Sequence, residues 1–157
     1  MNEPAPTATE SILSAPLPPR RPETGQGSWA LGLLALIPIP VVGLVIAAVA
    51  MLASYRSIKK RVNTVVARNA RNAANWGLTV LTVLSALCIW VIVNFAVHGD
   101  HPDPSWAPLL PLAAGAALFG IHLAVTIAGT LLARRGRVFG SWIAIPYLRV
   151  VQTPDAE

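Results

Sequence analysis

The chain has 157 residues, 54% of them hydrophobic and 12% charged, with twelve Lys or Arg against seven Asp or Glu. A soluble domain carries about a quarter charged residues, so this composition excludes an ordinary soluble globule and points to a membrane protein. Membrane orientation accounts for the positive excess with no nucleic-acid partner, and a single cysteine, Cys88, excludes an intrachain disulfide.

Residues 1–28 hold six prolines and three glutamates before any apolar run begins, the wrong order for a basic then apolar signal peptide. They offer too little apolar surface to offset the entropy of ordering and read as a disordered Pro-rich tail. Pro16, Pro19 and Arg21 have the spacing of a polyproline II ligand, although a plain proline-rich linker explains them as well.

Three stretches have no Asp, Glu, Lys or Arg: 29–53, 76–97 and 104–133. Each exceeds the roughly 20 residues that cross a bilayer at helical rise, so the chain reads as an all-α membrane protein with spans at about 29–53, 76–97 and 107–133. Pro38 and Pro40 interrupt the first run. They leave either one kinked span or a re-entrant hairpin with arms of about nine and thirteen residues, neither able to cross alone. Span length favours the kinked crossing; charge counting favours the hairpin, which puts all twelve basic residues on one side.

Between the first two runs, residues 54–75 carry Arg56, Lys59, Lys60, Arg61, Arg68 and Arg71 and no acid. This marks a cytoplasmic loop beside anionic headgroups, each nearby cation contributing about 1 kcal/mol. The next loop, HGDHPDPSW, has Asp100 and Asp103 and no Lys or Arg, whereas Arg134, Arg135 and Arg137 follow the third run. Both fit a plasma-membrane protein with a cytoplasmic carboxyl terminus. Trp29, Tyr55, Trp76 and Trp106 stand at expected span ends, where aromatic rings suit the headgroups. After Arg137 the apolar VFGSWIAIPYLRVV is too short to cross, so it is expected along the cytoplasmic interface with Trp142 and Tyr147 at headgroup depth; a short tail, 151–157, follows.

Asn75, Thr79, Thr82 and Ala86 share one face of the second helix, which should look at protein. In the third, Ala116, Gly120, Ala124 and Ala128 form a small-residue stripe for close helix approach, and His122, Thr126 and Thr130 form a second stripe about half a turn away. An ionisable group inside a membrane is a functional candidate, which makes His122 the side chain to test, against the simpler role of a neutral histidine bonded to a neighbouring helix. His98, Asp100, His101 and Asp103 could in chemical terms hold zinc, but their spacing is that of any solvated turn. No phosphate loop, HExxH helix or nucleophile–base motif occurs, so neither a cofactor nor a catalytic residue is expected.

RNAANWGLT, residues 71–79, resembles the "areAlNFqlt" signature of the Tic20-like family of small bacterial membrane proteins, also called DUF4870. Arg71, Ala73 and Asn75 match directly and Trp76 replaces an aromatic; GSWIAIPYLR is similar to that family's closing motif, with Gly140 and Pro146 at its spacing. Asn72 departs from the usual Glu, and Ile145 from an aromatic. The resemblance covers about residues 28–150, the expected domain being 29–150, and implies a part in polypeptide translocation. The expectation is a non-enzymatic membrane protein acting through other membrane helices or self-association. The alternatives are a proton-coupled transporter using His122 and a metal-dependent enzyme at the outer loop.

Overall fold

The computed structural model describes residues 24–58, 64–98 and 109–148. Among them are four α-helices and no strand: α1 (Gln26–Ala30), continued by a 3-10 stretch (Leu31–Leu36), α2 (Pro40–Ile58), α3 (Thr64–His98) and α4 (Leu109–Arg134). Three helical segments, Val41–Ile58, Val65–Val97 and Leu109–Arg134, are long and apolar enough to cross a membrane. The tail 1–23, Lys59, Lys60, Arg61, Asp100, His101, Asp103, Trp106 and residues 151–157 lie outside the described residues.

The first apolar run is not one helix. Ile37 precedes Pro38, and the proline ring disfavours helical geometry in the residue before it; Ile37 accordingly has ψ 137° and ends the 3-10 stretch. Pro40 then opens α2 in the first-turn position that tolerates a missing N–H. Between them the chain reverses. Ser28 Oγ meets Ser54 Oγ at 2.8 Å, and a Cβ on Gly43 would lie 2.8 Å from the carbonyl oxygen of Ala35, so the two arms run antiparallel. The expected single span over 29–53 is thus a hairpin. Its second arm is longer than the sequence suggested, because α2 runs past Ala53 through Tyr55 and Arg56 to Ile58. The expected tail also ends sooner, since Gln26–Ala30 is helical and Ser28 is buried.

α2 packs antiparallel on α3, with Gly77 so close to Ala48 that an added Cβ would lie 3.1 Å from its backbone. Lipid is as apolar as any side chain, so packing rather than water exclusion holds such helices together, and small residues let it be close. Ala47 and Ala48 of α2 and Ala70, Ala73 and Ala74 of α3 are fully buried. α3 begins at Thr64, twelve residues before the expected span. Residues 54–75 are therefore mostly helix rather than loop: α2 continues to Ile58 and ARNARNAANW lies wholly inside α3. At 1.5 Å per residue α3 is about 50 Å long, well beyond about 30 Å of hydrocarbon, so its polar first turns need not enter the bilayer.

α4 ends in a Schellman motif: Arg137 N–H donates to Leu132 O (3.1 Å) and Gly136 N–H to Ala133 O (2.9 Å), with Gly136 at φ 72°. Only glycine takes that conformation at no steric cost. The turn sends residues 137–148, hereafter the strap, back along α3.

Candidate functional site

The strap lies in an irregular conformation, and its main-chain groups need partners. One face of α3 supplies them. Asn69 Nδ2 donates to Thr24 O (2.9 Å) and Arg137 O (3.1 Å), and its Oδ1 accepts from Phe139 N–H (2.9 Å). Asn72 Nδ2 donates to Phe139 O at 2.8 Å. Asn75 Oδ1 accepts from Leu148 N–H (2.8 Å), while its Nδ2 reaches Leu148 O at 3.4 Å, a weak contact. Thr79 Oγ1 accepts from Ile145 N–H (2.9 Å) and donates to Asn75 O. Thr82 spends its proton on Leu78 O, so the Tyr147 hydroxyl donates to Thr82 at 2.6 Å.

These five residues are a polar clasp for main chain. Asn69, Asn72 and Asn75 recur every three residues on α3, which keeps them on neighbouring turns. Asn69 is fully buried and Asn75 nearly so. Ala86, the expected continuation of the face, is exposed. The strap is therefore not free along an interface: its backbone is tied to α3, although Trp142 stays 92% exposed. Neither Asn69 nor Asn72 was among the expected site residues, and the N-x-x-N-x-x-N spacing was the signal that could have found both.

A second polar group lies inside the bundle. His122 and Thr126 of α4 are fully buried and Thr130 partly so, facing the hairpin. His122 Nε2 is 2.9 Å from Gly32 O; a carbonyl can only accept, so Nε2 carries the proton. Trp76 stacks on the imidazole at 6.2 Å and 15°. His122 Nδ1, Thr126 Oγ1 and the indole N–H groups of Trp29 and Trp76 have no protein partner. Gly32 makes the approach possible, because a Cβ there would lie 2.5 Å from Met51 Cε and 2.6 Å from Thr126. Thr130 donates to Thr126 O within its own helix.

Two expected headgroup anchors are instead core residues. Trp29 is fully buried, packed edge-on to Phe139 at 5.2 Å and filling the space left by Gly129; Trp76 is 2% exposed over His122. Helix ends and ring polarity suggested the interface, but α4 covers both rings through Gly129 and His122, and Phe139 of the strap packs on Trp29. Tyr55 is half-buried. The small-residue stripe points the other way: Ala116, Gly120 and Ala124 are exposed, Ala128 is half-buried, and nothing lies within 4 Å of a Cβ on Gly120. The close approaches among the described residues occur at Gly25, Gly32, Gly43, Gly77 and Gly129. Cys88 is exposed rather than packed.

The described residues include six arginines, Arg56, Arg68, Arg71, Arg134, Arg135 and Arg137, and no acidic residue. The Ser28–Ser54 contact and the Asn69–Arg137 bond join the elements that carry them, so they gather at one end of the bundle. Among the described residues no group of three His, Cys, Asp or Glu could hold a metal.

A hairpin, two further membrane-length helices and a clasped carboxyl-terminal strap define a small multi-pass helical membrane protein. The chain belongs to the MamF/MmsF family, the magnetosome magnetite crystal formation protein family, whose model matches residues 25–148. That match overturns the Tic20-like (DUF4870) resemblance, and with it the link to polypeptide translocation; Arg71, Asn75, Trp76, Gly140 and Pro146 all fall inside the matched stretch. Those motifs are short, and what they mark here is the clasp and its strap. No curated protein and no solved structure matched.

Proposed function

We propose that this protein is a non-enzymatic membrane component of magnetite crystal formation. The observation that carries the reading is the family match, which spans nearly all of the described bundle, from the turn before α1 to the end of the strap. In this reading the arginine end faces the cytoplasm and anionic headgroups, because Lys and Arg near span ends set orientation. The hairpin then places Thr24 and the strap on that same side. The far ends of α3 and α4, at His98 and Leu109, then face the compartment in which mineral grows. The membrane is that of the magnetosome or the plasma membrane. The exposed Gly120 and Ala124 support association with other membrane helices or a second copy.

The test is expression in a magnetite-forming bacterium deleted for its own family member, with crystal sizes measured by electron microscopy. Restored size and shape support the proposal. Membrane-inserted protein that leaves the crystals as in the deletion strain refutes it.

A further inference from the structure

The proline turn leaves a gap at the end of the bundle away from the arginines. With Ala48 beside Gly77, the start of α2 stands level with the Leu84 turn of α3, and α3 continues beyond it for about 20 Å at helical rise. The hairpin therefore stops short while α3 and α4 go on. Between them lies a groove of about 690 Å³, bounded by Val41 and Leu44 of α2, Leu87 and Cys88 of α3, and Leu112 and Phe119 of α4.

We propose that this groove holds one acyl chain of a membrane lipid. All three helices that frame it are of membrane-crossing length and composition, so it opens into hydrocarbon. Its walls carry no charged side chain, and the Cys88 thiol is the only polar one, which leaves a water molecule without the two or more partners it needs. Size decides between the apolar occupants. A methylene takes up about as much space as a water molecule, roughly 30 Å³, so the groove accommodates on the order of twenty of them, about one lipid tail. A helix about 10 Å across would seat only one face in a groove of this volume and leave the rest of its surface outside, whereas a single tail fits within it. The floor is also smooth: Gly115 lines the groove, and a Cβ there would meet nothing within 4 Å. This inference rests on the geometry of the hairpin and stands apart from the proposed role in crystal formation.

The test uses the full chain in phosphatidylcholine nanodiscs containing a minor fraction of lipid with a diazirine midway along one acyl chain. After photolysis, adducts are mapped by peptide mass spectrometry. Phe95 and Val97, exposed on α3 outside the groove, report ordinary lipid contact. Adducts at Leu112 and Cys88 should exceed those at the reference residues several-fold. Gly115→Leu, which fills the groove from α4, and Cys88→Phe, which fills it from α3, should each bring Leu112 down to the reference level while leaving Phe95 unchanged. Groove labelling no higher than the reference, or labelling that neither filled variant lowers, overturns the proposal. So does a Cys88–Cys88 disulfide between copies on mild oxidation, which would place a second chain at the groove.

Discussion

Replacing Asn69 by alanine should release the strap while leaving the helices folded. Its side chain makes three bonds, to Thr24 O, Arg137 O and Phe139 N–H, and it is fully buried. Each bond is worth about 1 kcal/mol net, and two of the three, to Arg137 O and Phe139 N–H, hold the strap, so its attachment weakens by about 2 kcal/mol. At 1.4 kcal/mol per factor of ten, the strap should open about 25-fold more often. Hydrogen–deuterium exchange of a peptide covering 137–148, on protein in nanodiscs, reads this opening directly. Asn72→Ala loses a single bond to Phe139 O and should raise exchange by about fivefold, since one bond is worth about 1 kcal/mol. Asn75→Ala, with one good and one long bond to Leu148, should fall between the two. Amides of α4 away from the strap should keep their protection. Strap exchange in Asn69→Ala equal to that of the parent, or no ordering among the three variants, would show that packing of Phe139 and its neighbours holds the strap and the clasp bonds do not.

The glycines separate close approach from open surface. Gly32→Ala should destabilise the protein by about 1–3 kcal/mol, the usual cost of overpacking, whereas Gly120→Ala should be neutral in a detergent thermal melt; equal melting points would contradict the hairpin packing. His122→Leu removes the buried bond to Gly32 O and should cost about 1 kcal/mol. A melt unchanged in that variant would remove the packing role and return His122 to the proton-carrying alternative. Reporter fusions before residue 24 and after residue 148 should report the same side of the membrane, and opposite sides would mean that the first apolar run crosses once.

The sequence by itself determined the class of protein, because stretches of 22 to 30 uncharged residues have no other stable place than a bilayer and no other stable form there than helix. It also determined that the first run must break at Pro38 and Pro40, which follows from ring geometry alone. Whether the break was a kink or a reversal depended on contacts between residues far apart in the chain, and the Ser28–Ser54 pair shows the reversal. Charge asymmetry pointed that way, while span length misled because α2 extends beyond the uncharged stretch. The face carrying Asn75, Thr79 and Thr82 was legible from helical periodicity, but its partner was not: main-chain atoms leave no trace in sequence, so a strap held through its backbone is visible only once folded. The same limit explains the tryptophans. An indole at a span end suits either the headgroups or a core, and only the positions of Gly129 and His122, brought against Trp29 and Trp76 by tertiary packing, decided for the core.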